Sequence, residues 1–163
     1  MKFGGTTLVS AACALALTTT LGLAGPGEPG HRHRSFAAGE PGDPNKPAVK
    51  TVEVRMTETD GANMLFVPDR IEVKRGEQVK FVLKNQGKTD HEFMLDTVEH
   101  NAKHKIAMEA NPDMEHDDPN GKRLAPDGSN EIVWRFTKAG TFEFACLIPG
   151  HYESGMHGTI VAK

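Results

Sequence analysis

From residue 49 to the C-terminus the chain runs in short segments that alternate apolar and polar side chains and are separated by turn residues. Alternation with a period of two suits strands with one buried face and does not suit helices. Residues 49–56, 64–67 and 68–73 read this way, followed by a turn at Lys74-Arg75-Gly76-Glu77. Residues 78–85 then place Val79, Phe81 and Leu83 on one face, and further runs follow at 91–95, 131–136, 141–146 and 158–161. Seven or eight strands at such spacing predict an all-β chain folded as a Greek-key β-sandwich. The 17 Gly and 10 Pro supply the turns this needs, and 163 residues suffice for one domain.

The N-terminal segment is of another kind. Residues 1–24 comprise Lys2, an apolar and small-residue stretch, and Gly22-Leu23-Ala24 as a small-x-small cleavage site. This predicts a signal peptide and a periplasmic location. Thr18, Thr19 and Thr20 interrupt the apolar stretch, which is short for a bilayer span, so the mature protein is expected to have no membrane span. Formal net charge is -3, with 19 basic against 22 acidic residues, which leaves no basic field to hold nucleic acid. Cleavage removes Cys13 and leaves Cys146 as the sole cysteine. In an oxidising compartment a lone thiol must be buried, joined to another chain or bound to a ligand.

Two stretches fall outside the strand pattern. Residues 25–48 are rich in Pro and Gly without apolar periodicity and are expected to form a disordered linker. Residues 96–126 are polar and long for a connection within a compact domain, which predicts a functional insertion, partly helical over about 97–119. Helical propensity runs from Thr97 to Ala110, and Asn111-Pro112 ends it.

The chemistry concentrates near the C-terminus, where Cys146, His151 and Met156 stand at Cys-x4-His-x4-Met directly after an alternating run. One loop brings together a thiolate, an imidazole and a thioether, and His91 on an earlier strand can add a second imidazole. Two His, one Cys and a weak axial Met form the ligand set of a type 1 copper site. Zinc accepts sulfur and nitrogen donors too, but the thioether favours copper.

These residues, with the stretch Phe66-Val67-Pro68 through Ile71, Val73, Gly76, Val79 and Phe81, resemble the cupredoxins, the plastocyanin and azurin family of copper proteins. The resemblance covers residues 49–163 apart from the insertion. It implies a cupredoxin domain, His91, Cys146 and His151 as equatorial ligands, Met156 as axial ligand, and one-electron transfer. The loop is longer than that of plastocyanin and closer to the rusticyanin and auracyanin branch.

Within the insertion, His100, His104 and Met108 stand at i, i+4 and i+8, and Met114 and His116 follow. These five are candidates for a second copper site, with Met94 close in sequence; the alternative is a charged helix with Met108 packed inward. The His and Met enrichment, with Thr89-Asp90-His91-Glu92-Phe93-Met94, resembles the periplasmic copper-tolerance cupredoxins. That resemblance implies a role in surviving excess copper, and the exported protein is expected to be a monomer that binds copper ions. A shuttle passing electrons to a redox partner protein is the alternative, followed by a metal-free secreted interaction module. An oxidase needs further histidine-rich copper centres, and the folded part has no His-Cys-His or His-x-His cluster beside Cys146; a binuclear electron-entry site needs two bridging cysteines, and the mature chain is expected to keep one.

Overall fold

A computed structural model describes residue 1 and residues 36–112, 114 and 118–163. The expected signal peptide lies outside the described residues apart from Met1, as do the linker up to residue 35 and His116. The strands are β1 (Glu40–Pro41), β2 (Lys50–Glu58), β3 (Met64–Val67), β4 (Arg70–Val73), β5 (Gln78–Asn85), β6 (His91–Asp96), β7 (Gly121–Leu124), β8 (Ser129–Arg135), β9 (Gly140–Ala145) and β10 (His157–Ala162), with helix α1 (Val98–Ala110) between β6 and β7. They form two five-stranded sheets in the orders β1-β8-β5-β2-β3 and β4-β10-β9-β6-β7. The β2–β5 and β4–β10 pairs are parallel and the rest antiparallel.

Alternation along the strands decides what fills the space between the sheets. Val79, Phe81 and Leu83 of β5 point inward with Val54 and Met56 of β2, and meet Phe93, Leu95, Phe142 and Phe144 from the other sheet. Phe93 sits at the centre of this layer. Its ring stacks on Phe144 at 5.2 Å and meets Phe66 and Phe81 at 5.9 and 5.7 Å. Each such buried aromatic contributes about 1.5–3 kcal/mol of burial free energy. The β-sandwich expected from the sequence is thus the observed fold.

Two segments depart from the expectation. Residues 36–48 belong to the fold rather than to a linker: Ala38 is buried, the Phe36 ring meets Trp134 edge-on at 5.2 Å, and Trp134 Nε1 donates to the Ala38 carbonyl at 3.1 Å. Strand β1 then pairs with β8. Within this stretch Phe36 and Ala38 are the side chains that join the core, too few to leave a periodic signal. Gly39, at φ +135°, passes so close to β8 that an added Cβ would lie 2.2 Å from the Arg135 carbonyl oxygen. The second departure is β7, inside the expected insertion, where the polar run Gly121–Leu124 pairs with β6.

Helix α1 does form within that insertion. Thr97 caps it, its side chain accepting from the His100 N–H, and Glu99 pairs with Lys103 at 2.7 Å. It lies over the outer face of the second sheet, burying Asn101 and Met108. No helix among the described residues is long and apolar enough to cross a membrane.

Candidate metal centre

The ends of β6, β9 and β10 meet at one end of the sandwich. Cys146 follows β9, and its N–H donates to the Met156 carbonyl at 3.0 Å, so the two ends of the 146–156 loop stand opposite each other. Within the loop the His151 N–H donates to Ile148 and that of Met156 to His151, at 3.0 and 3.1 Å. Gly150 and Gly155 take φ of +86° and +98°, left-handed conformations that glycine adopts readily. The Met64 N–H donates to the Ser154 carbonyl and ties the loop to β3. A loop pinned at both ends and in its middle holds its side chains in place without a ligand.

Three donor atoms converge there. His151 Nδ1 lies 3.3 Å from Cys146 Sγ and 3.3 Å from His91 Nδ1, and one donor atom from each residue falls within 4.8 Å of the others. Bonds of about 2.0 Å to nitrogen and about 2.3 Å to sulfur hold such donors roughly 3.3–3.7 Å apart around one ion, so the three fit a metal centre. Among the described residues this is the one group of three or more His, Cys, Asp or Glu side chains so placed. His91, Cys146 and Met156 are fully buried and His151 is half-buried. Met156 packs in the same core cluster as Cys146.

The electrostatics suit neutral donors. Burial lowers the proton affinity of both imidazoles, and at His151 the neighbouring His91 lowers it further. Burial, then the Glu92 carboxylate, pushes the Cys146 thiol up to about 12, against a bond at 3.3 Å from the Glu92 N–H to its sulfur. Without metal the sulfur therefore keeps its proton. A bound cation must displace it, which couples uptake to pH.

Sequence reasoning passed over the groups surrounding these donors. Glu58, at the end of β2, accepts from His91 Nε2 at 3.0 Å. Burial alone would raise its pKa, but bonds from Lys88 and Thr89 hold it down at about 2. The signal was present in the alternation: Val52, Val54 and Met56 face inward, and Glu58 continues their register. Beneath the loop, Tyr152 donates to Glu143 Oε1 at 2.9 Å, and Asn101 Nδ2 donates to Glu143 Oε2 at 3.0 Å, which joins α1 to the 146–156 loop. The Tyr152 ring also stacks on His157 at 4.7 Å and lies 5.4 Å from the Lys105 ammonium.

Tyr152 is the only tyrosine in the chain, so its ionisation can be read by absorbance alone. Burial, then the Glu143 bond, pushes it up to about 12 from about 10 for a free tyrosine. A raised folded value favours the neutral phenol in the native state. Its contribution to stability is therefore complete below about pH 10 and is lost as the pH rises through about 12. The tyrosinate midpoint of the folded protein is expected near 12, and Tyr152→Phe should remove this part of the alkaline stability loss. A midpoint near 10 would rule out the buried bond.

Of the insertion residues, Met108 and Met114 come together with Met94, while His100 takes a partner of its own. His100 is exposed, with Nδ1 3.0 Å from Asp96 Oδ1, while Met108 is fully buried in a cluster with Met94, Ala145 and Leu147 against which Met114 packs. His104 is half-buried. At 3.6 residues per turn, eight positions rotate the helix by about 80°, so His100 and Met108 face different ways, whereas Asn101 and Met108, seven apart, share the buried stripe.

Comparison with known proteins agrees with this geometry. The profile of copper binding proteins of the plastocyanin/azurin family matches residues 52–163, which span both sheets and the Cys146–Met156 loop. A copper-resistant cuproprotein CopI from Rubrivivax gelatinosus is 46% identical over 162 residues, covering 93% of each chain. A protein of the same description from Pseudomonas aeruginosa is 39% identical over 147 residues, covering 72% of this chain and 81% of its own. Among solved structures, reduced auracyanin from Roseiflexus castenholzii superposes with a TM-score of 0.59 at 27% identity, over 72% of this chain and 99% of its own. With the match running through the thiol, the imidazoles and the strands that hold them, the chain belongs to the plastocyanin/azurin family of copper-binding proteins, and copper is its cofactor.

Proposed function

We propose that the protein is exported to the periplasm, would hold one type 1 copper through His91, Cys146 and His151 with Met156 as a fourth, weaker donor, and serves copper tolerance. The convergence of one ring nitrogen each from His91 and His151 with Cys146 Sγ within 4.8 Å carries this reading. Similarity over 93% of a copper-resistant cuproprotein supports the physiological role. Bound copper supplies one-electron redox chemistry. Thiolate and thioether suit its cuprous state and imidazole tolerates both states, so this donor set persists through the change. With all four donors drawn from the protein, no position stays open for a substrate, which favours binding and electron transfer over catalysis. His151 is the least buried of the four donors, so its ring would offer a bound copper the shortest path for an electron to the surface.

The test is growth in elevated copper of the host strain lacking this gene. Restoration by the wild-type gene but not by Cys146→Ser is expected, with the periplasmic fraction yielding a chain that begins at Gly25. Equal restoration by both genes would show that tolerance does not run through this centre. Normal growth of the deletion strain in copper, with loss of electron delivery to a partner enzyme, would favour the shuttle.

A further inference from the structure

His91 is bound from two sides. Its Nδ1 lies 3.3 Å from His151 Nδ1, while its Nε2 lies 3.0 Å from Glu58 Oε1. Around that carboxylate the Lys88 N–H reaches both oxygens at 3.0 and 2.9 Å, the Thr89 N–H reaches Oε1 at 3.2 Å, and the Thr89 hydroxyl reaches Oε1 at 2.9 Å. Every one of these contacts uses the carboxylate as an acceptor. It therefore accepts from His91 as well, so Nε2 carries the ring proton and Nδ1 is left with its lone pair.

The chain is shaped to let this contact form. A Cβ at Gly87 would lie 2.6 and 2.7 Å from the two Glu58 oxygens and 2.7 Å from His91 Nε2, so any larger residue at 87 would wedge the pair apart. Asn85 holds the same turn from below, accepting from the Gly87 N–H at 2.9 Å and donating to the Thr89 and Leu124 carbonyls at 2.8 and 2.9 Å. The Glu58 side chain is 18% exposed and that of His91 fully buried, so little water screens the pair.

Building on the copper site proposed above, we propose that Glu58 is the positioning residue of His91. It fixes the ring tautomer that leaves Nδ1 bare, and its negative charge, acting through the ring, makes Nδ1 a stronger donor to the more highly charged cupric ion. Carboxylate partners of metal-bound histidines act in this way, and their loss typically costs 10–100-fold in metal affinity.

The test combines two readouts. In the copper-free protein, nitrogen NMR of the imidazoles is expected to show His91 as the Nε2–H tautomer in the wild type and a mixture of tautomers in Glu58→Ala. In the copper-loaded protein, Glu58→Gln keeps an acceptor oxygen but loses the charge. It is expected to retain the sulfur-to-copper absorption while cupric relative to cuprous affinity falls about tenfold. For a one-electron couple that change raises the reduction potential by about 59 mV. Gly87→Ala should shift the potential in the same direction, and it keeps the test open should Glu58→Ala fail to fold. A wild-type Nδ1–H tautomer would overturn the proposal. So would an unchanged potential in both Glu58→Gln and Gly87→Ala, even with melting temperature lowered, since Glu58 would then act only as a brace for the 86–90 turn. Those results leave the copper site standing, whereas a wild type without the absorption overturns both.

Discussion

Cys146→Ser is expected to abolish the intense sulfur-to-copper absorption of the loaded protein and to weaken cupric binding by more than about 100-fold, beyond the usual cost of losing an outer partner. The sulfur is the one anionic donor of the set, and it lies 3.3 Å from His151 Nδ1. Serine fills nearly the same volume, but its hydroxyl does not ionise near neutral pH and suits soft copper poorly. The fold should survive, because one extra buried hydroxyl costs about 1–3 kcal/mol against a typical stability of about 5–15. Visible spectra of the two proteins with added cupric ion check this. In the wild type the thiol proton, held up to about 12, must leave as copper enters, so binding should weaken as the pH falls. A variant that kept the absorption would exclude Cys146 as ligand.

Phe93→Ala should destabilise the protein by about 3–5 kcal/mol, a large part of the about 5–15 kcal/mol typical of a folded domain. Phe93 is fully buried, stacked on Phe144, and meets both Phe66 and Phe81, so truncation leaves a cavity lined by rings from both sheets. It also stands two residues from His91 on the same inward face of β6, so loosening there disturbs the metal centre. Chemical denaturation of the metal-free variant gives the number. A loss below about 1 kcal/mol would mean the site collapses without a cavity, contrary to the packing described.

What could be read from the sequence follows from how each feature leaves its mark. Val79, Phe81 and Leu83 are core residues at a spacing of two, and a run of that kind is visible in the string itself. Cys146, His151 and Met156 share one loop, so their relation is local, and the loop is where the structure brings donors together. Strand β1 and the stretch before it are held by Phe36 and Ala38 against Trp134, nearly a hundred residues away, a contact that leaves no periodic trace. Strand β7 is polar and is a strand because β6 offers it an edge. Helix α1 was legible from propensity and its Asn-Pro ending, but its facing was not: buried Asn101 bonds to Glu143 on the outer face of β9 beneath it. Glu58 was overlooked because its partner is thirty-three residues further along the chain, although its inward register marked it as unusual.

X-ray absorption at the copper edge of the loaded wild-type protein bears most directly on whether these side chains hold the metal. Two nitrogen scatterers and one short sulfur scatterer around a single copper are what His91, His151 and Cys146 predict. A shell of nitrogen and oxygen alone, with no sulfur, would show that the ion sits elsewhere and that the convergence at the end of the sandwich is not its binding site.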